Sequence, residues 1–248
     1  LLLIVPLLIF LLIDLAPGDP AVILAGENPT PERLDELRAT LMLDQNVFVR
    51  YLDWLGGVAR GDLGVSLLSD QTVSDLLLRR MATTLSLVVF AMVLAVIIGV
   101  VLGVLASLRP GGVLDRVINV VASVAIAIPA FWFGLVLVSL FAVSNQIFPA
   151  FGYAPLSDGV VPWFQHLVLP GVALALLPAA EVTVQLRSAL GQVMAGDYVL
   201  NAKARGLSTA SVVLKHALKN ACIPVVTVLG FRVAEVLGGA VTIEIIYS

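Results

Sequence analysis

The side chains best suited to chemistry are few, and they sit where chemistry is expensive. Glu181, Arg232, Glu235 and Glu244 lie inside long apolar runs. An ionisable group at the centre of a bilayer costs on the order of 3 kcal/mol, so it normally faces a bundle interior or a water-filled path. Arg232 and Glu235 share a helix face at i,i+3 spacing and can pair with each other. Glu181 is near enough to Arg187 along a helix to snorkel toward the membrane surface. Together Glu181, Arg232 and Glu235 suit either a transport pathway or structural charge pairing, and the residues alone leave both open. Covalent chemistry has less to stand on. His166 and His216 are far apart and Cys222 is the only cysteine, which gives no metal-ligand spacing and no intrachain disulfide. Gly61-Asp62-Leu63-Gly64 lacks the lysine of a phosphate loop, and no Gly-x-Ser-x-Gly elbow occurs. The chain is expected to be no enzyme and to hold neither metal nor cofactor of its own.

The elements that carry these residues are set by composition. The 248 residues are 60% hydrophobic and only 12% charged, with a net charge of −3, and the mean hydropathy is +1.05. A soluble domain carries ~25% charged residues, so this chain lacks the charge to cover a water-facing surface. A disordered tail, a nucleic-acid binder and a disulfide scaffold are disfavoured for the same reasons. An all-α polytopic bundle is expected. A hydrocarbon core of ~30 Å needs about 20 apolar helical residues. Runs of that length cover about 85–106, 117–143, 167–186 and 221–247; a shorter run, 1–13, reads as the end of a further span. The chain opens and closes in apolar sequence without an initiator Met, so it is expected to be clipped at both ends, with five spans visible. Pro129, Pro170 and Pro178 predict kinks.

Basic residues orient the spans. Arg109 and Arg116 lie in the 107–116 loop, and Arg187, Lys203, Arg205, Lys215 and Lys219 in 187–220, whereas 144–166 has no Lys or Arg. The first two segments are therefore expected in the cytoplasm, and 144–166 outside with the long 14–84 segment. That segment predicts short helices over 30–43, 48–58 and 73–81, with Thr30 capping and Pro31 at the first helical position. It is either a cap packed on the bundle or a docking surface for an external partner. In 187–220 a helix over 197–205 ends at Gly206. Ser208 caps a second helix to about Asn220, closed by Pro224. This helix pair either rests on anionic headgroups or forms a rigid lever for a cytoplasmic subunit. Gly99 and Gly103 permit close helix contact.

Several patches resemble one family. Asp197-Tyr198-Val199-Leu200-Asn201-Ala202-Lys203-Ala204-Arg205-Gly206-Leu207-Ser208, followed by Lys215-His216-Ala217-Leu218-Lys219-Asn220-Ala221, resembles the cytoplasmic loop of binding-protein-dependent ABC transporter permeases. The dipeptide/oligopeptide branch is similar also at Leu15-Ala16-Pro17-Gly18-Asp19-Pro20-Ala21, at Gly61-Asp62-Leu63-Gly64 with Ser66, and from Arg80 through Leu85. The family's loop motif, Glu-Ala-Ala, three residues, Gly, nine residues, Ile-x-Leu-Pro, falls here on Leu200, Asn201, Ala202, Gly206, His216, Leu218 and Lys219. The acid is therefore absent and only part of the motif is kept.

The resemblance implies a six-span permease of the first-subunit type in a bacterial inner membrane. It would work beside a second, homologous permease, two cytoplasmic ATP-binding subunits that hold ATP and Mg, and an extracytoplasmic substrate-binding protein. It assigns coupling to Ala202, Lys203, Ala204, Arg205, Gly206, Leu207, His216 and Asn220. The rival expectation is an ion-gradient-driven secondary transporter in which Glu181, Arg232 and Glu235 carry the ion; that architecture calls for inverted halves, and none is visible.

Overall fold

The computed structural model describes residues 1, 3–15, 18–26, 30–66, 69 and 71–247; the side chains of Leu24, Tyr198, Leu200, Lys203, Ala204 and His216 lie outside that description. The chain divides into two compact units, Leu1–Arg80 and Met81–Ser248. Both are built from helices, and among the described residues the only β feature is an isolated bridge between Val65 and Thr72.

In the first unit, apolar α1 (Ile4–Leu15) pairs with α4 (Val47–Ala59), and short α2 (Pro20–Ala25) with α3 (Pro31–Thr40). Phe10 meets Tyr51 and Trp54 edge-on or tilted at 5.8 Å. The Tyr51 hydroxyl donates to the Leu3 carbonyl at 2.8 Å, and buried Arg50 reaches Asp14 at 2.8 Å. Asp19 has two tasks. Its Oδ1 accepts from the Ala21 N–H and so caps α2, while its Oδ2 accepts from Arg38 of α3 at 2.7 Å. The Arg38 guanidinium, with help from the Ala21 N–H, holds the Asp19 carboxyl below the usual carboxylate value. The Thr30 cap and N1 proline of α3 form as the sequence predicts, and the Gly61–Gly64 turn is closed by Asp62 accepting from the Gly64 N–H.

The second unit is organised around α8 (Val160–Met194). It follows α5 (Val73–Leu108), α6 (Val113–Ala127) and α7 (Ala130–Leu137), and precedes α9 (Asp197–Ala204), α10 (Thr209–Val212) and α11 (Leu218–Tyr247). In its apolar window 67% of α8 is buried, against 39% of α5 and 17% of α11, which makes α8 the helix around which the others pack. Leu87, Val88, Ala91 and Ala95 of α5 meet Leu167, Leu169, Ala173 and Leu174 of α8, together with Val236, Ala240 and Ile243 of α11. The close approach expected at Gly99 and Gly103 is present: a Cβ at Gly99 would stand 2.5 Å from Val182, and one at Gly103 3.0 Å from Leu186.

Three expectations change. The helix predicted over 73–81 is no separate element. Met81 to Leu85 holds no Gly or Pro, so it continues into the span as α5. The run 117–143 is apolar throughout but not one rod; α6 and the helical segment that follows are bent by 101°. Pro129 pushes Ile128 into extended backbone and opens the next helix itself, and α7 then passes into a π-helical turn over Val138–Ser144. Pro224, expected to close the second elbow helix, lies inside α11. Pro170 and Pro178 likewise lie within unbroken α8. Membrane helices tolerate prolines where neighbouring groups satisfy the freed backbone carbonyl. By length and composition α5, α8 and α11 can each cross a membrane, with a fourth span if the bent pair is one; α1 is apolar but shorter.

Candidate functional site

The connection between α8 and α11 is a built corner. α8 ends with the Ala195 N–H donating to the Gln192 carbonyl and the Gly196 N–H donating to that of Val193. α9 ends at Gly206, whose φ of +81° is open to glycine at little cost. The Leu207 N–H reaches back to the Ala202 carbonyl at 3.3 Å, the long-range bond of a Schellman closure. Ser208 then accepts from the Ser211 N–H and starts α10. A π-helical turn over Val213–Ala217 leads into α11 without a break.

Packing fixes the arms and leaves the tip free. Val212, Val213 and Ala217 are fully buried, and Val213 and Ala217 join Ala221 and Val225 against Val182, Leu186 and Leu190 of α8. Arg205, Gly206, Leu207, Ser208, Thr209 and Ala210 are exposed. Of the residues singled out by resemblance, Ala202, Arg205, Gly206 and Leu207 therefore cluster at the corner. Asn220 is exposed but lies about 16 Å along the second arm from Thr209, at ~1.5 Å per residue. Lys203, Ala204 and His216 have described backbone, in α9 and in the π-helical turn, while their side chains lie outside the described residues. Beside the corner is a cavity of about 680 Å³ with Ser107, Arg187, Ser188, Gln192 and Thr209 in its wall.

Glu181, Arg232 and Glu235 form one cluster rather than a lone acid and a pair. Arg232 of α11 pairs with Glu235 on its own helix, as spacing predicts, and also with Glu181 of α8. Glu181 and Arg232 are mostly buried, whereas the Glu235 side chain is 61% exposed. A cavity of about 250 Å³ opens beside them, bounded by Ile126, Val184, Gln185 and Val228. Glu244, the remaining acid of α11, accepts from the Thr84 hydroxyl of α5 at 2.6 Å. No group of three or more potential metal ligands occurs among the described residues.

Like the contact between Arg232 and Glu181, a second cross-helix pair escapes sequence reasoning. Arg187, which counts only as a marker of orientation in the sequence, grips Asp115 with two bonds of 2.7 Å. Asp115 is buried in the first turn of α6 and also accepts from the Gly111 N–H and the Asn119 amide. An acid in a helix's first turn is so ordinary that nothing in the local pattern points to a partner 72 positions away.

Comparison with known proteins places this architecture. Residues 95–248 match the family described as "Binding-protein-dependent transport system inner membrane component", and residues 1–88 match "Binding-prot-dependent transport system membrane comp, N-term". The chain is 37% identical, over 98% of its length and 78% of the relative's, to a probable peptide ABC transporter permease protein of Sinorhizobium fredii. It is similar to the di/tripeptide transport system permease protein DppB of Pseudomonas aeruginosa, at 37% identity over 98% of this chain and 79% of the relative. The dipeptide transport system permease protein DppB of Escherichia coli shares 34% identity over the same fractions. The helical bundle, its apolar spans and these matches agree that the chain belongs to the family of binding-protein-dependent transport system inner membrane components, as a multi-pass permease subunit and not an enzyme.

Proposed function

We propose that this permease carries short peptides inward for an ATP-driven importer, with the Gly206 corner as its coupling element. The assembly comprises this chain, a second, homologous permease, two cytoplasmic ATP-binding subunits and an extracytoplasmic binding protein. ATP and Mg belong to the ATP-binding subunits. The 187–220 segment faces the cytoplasm and the 14–84 segment the outside. The peptide substrate is inferred from the peptide transport for which the Sinorhizobium, Pseudomonas and Escherichia relatives are named.

The observation that carries the coupling reading is the corner itself: an exposed tip closed by a Schellman bond, with its second arm buried on α8 and continuous with α11. A force applied at Ala202, Arg205, Gly206 and Leu207 cannot be absorbed by slack backbone and so reaches both helices. Lys203, Ala204, His216 and Asn220 complete the contact surface in this reading. Glu181, Arg232 and Glu235 line the pathway, because a half-exposed carboxylate within a membrane helix needs water or a polar partner on its open side.

Affinity purification of the tagged permease from solubilised membranes, followed by reconstitution and uptake of a labelled dipeptide, tests the reading. The expected result is co-purification of nucleotide-binding subunits and uptake that follows ATP. Uptake driven by an ion gradient, with no such subunits attached, would overturn it.

A further inference from the structure

α8 is tied on two sides by arginine. Near its middle Glu181 meets Arg232 of α11, and near its C-terminal end Arg187 meets Asp115 of α6. The first tie joins the two helices that flank the corner. The second reaches a helix that does not adjoin the corner in the chain, and it is the better built of the two. Asp115 is 2% exposed and all its bonds are of ordinary length: Arg187 Nε to Oδ1 and Nη2 to Oδ2 at 2.7 Å, the Gly111 N–H to Oδ2 at 2.8 Å and the Asn119 amide to Oδ1 at 2.7 Å. Two parallel bonds between one guanidinium and one carboxylate fix orientation as well as distance.

Elsewhere, among the described residues, the seam between α6 and α8 is apolar, with no further polar pair to fix its register. Its buried apolar residues are Ile118, Ala122 and Ala125, and the two alanines meet Ala180, with Leu176 and Val184 beside them. Alanines interlock weakly, since they offer no long side chain to lodge between neighbours. At its far end α6 stops at the 101° break before Pro129, so the rest of that span cannot hold it as a straight rod would. On the other side of Arg187 lies the 680 Å³ cavity, whose wall includes Thr209 beyond the corner. The cavity leaves space beside the C-terminal end of α8, whereas toward α6 Arg187 is held by Asp115.

We propose that the Asp115–Arg187 pair is a positioning clamp that makes α6 travel with α8 when the corner is displaced, so that the broken span takes part in opening the pathway. Neither residue touches substrate. The inference rests on the coupling reading above, and the Gly206→Val variant run in the same assay tells the two apart: full transport in that variant removes the coupling reading itself.

The test uses the assembled transporter in nanodiscs and proteoliposomes, with ATP hydrolysis and peptide uptake measured on the same preparation. Arg187→Lys keeps the charge but cannot make the paired bonds. Uptake is expected to fall about tenfold per assembled complex while ATP hydrolysis stays near wild type, which uncouples the two. A helix seam that was merely structural would lower assembly, hydrolysis and uptake together, and that result overturns the proposal, as does wild-type uptake. The second variant is Asp115→Cys/Arg187→Cys with Cys222→Ala. Without cross-linking it is expected to behave as Arg187→Lys does, and a short bifunctional thiol cross-linker is expected to restore uptake by rejoining the helices. Cross-linking that leaves uptake low shows that α6 and α8 must move apart, and the clamp is then wrong.

Discussion

At the scale of single residues, Gly206 shows how one backbone angle can carry a function. Nothing lies within 4 Å of where its Cβ would stand, so a larger residue meets no clash. The constraint is the positive φ, which costs an L-residue roughly 1–2 kcal/mol and a β-branched one more. Asn tolerates this region far better. Gly206→Asn is therefore expected to keep most of its transport and Gly206→Val to lose most of it, measured as uptake per assembled complex. Equal uptake in the two would mean that the corner's shape is not what couples. Asp19 gives a second, independent prediction. Its folded carboxyl lies below the usual value because Arg38 favours the charged form, so its contribution is present at neutral pH and is lost as the pH falls through that lowered value. The stability difference between wild type and Asp19→Asn should thus shrink on acidification, followed by the fluorescence of Trp54 in the same unit. It should also shrink with added salt, since the pair is partly exposed.

At the scale of elements, the α8–α11 seam depends on a charge arrangement that the sequence showed only in part. Arg232 serves two carboxylates. Removing it leaves Glu181 mostly buried and unpaired, a loss of about 3–5 kcal/mol for a buried pair. Glu181→Gln leaves Arg232 with one carboxylate and one hydrogen-bonding amide, and Glu235→Gln alters the most exposed member. Thermal unfolding in detergent is expected to rank the variants Arg232→Gln, Glu181→Gln, Glu235→Gln from most to least destabilised; a different order would show that the cluster is not held as described. The i,i+3 pair was legible because helix geometry alone brings those residues together. The contact to Glu181 was not, because periodicity says which residues share a face but not which helix that face will meet. The same limit hid Asp115 from Arg187. Local rules did better. The Thr30 and Ser208 caps and the glycine at 206 follow from backbone sterics and short-range bonds that any neighbourhood preserves. Pro129 and Pro224 mark the boundary between the two cases. One breaks its span and the other rides inside α11, and the sequence around each does not say which outcome the surrounding helices will support.

At the scale of the whole molecule, the distribution of charge makes a claim about sidedness that can be checked without knowing the substrate. Basic residues gather in 107–116 and 187–220 and are missing from 144–166, and in a bilayer such a bias places the first two on the cytoplasmic side. Arg109, Ser157 and Lys219 are all exposed, so a cysteine at each can be reached by a reagent if that reagent is on the correct side. Cys222 is the only native thiol and lies close to Lys219, so it must first be replaced by alanine. In intact spheroplasts a membrane-impermeant maleimide is expected to label Ser157→Cys and to spare Arg109→Cys and Lys219→Cys; in inverted vesicles the pattern is expected to reverse. The two basic-loop positions carry separate information. Arg109 follows α5, and Lys219 follows the corner, with α6, α7 and α8 between them. If both are sheltered in spheroplasts while Ser157 is labelled, the bent α6–α7 pair crosses the membrane and α8 returns. If Ser157 is sheltered with them, neither the bent pair nor α8 crosses, and the path of this permease must be redrawn around two crossing helices, α5 and α11, instead of four.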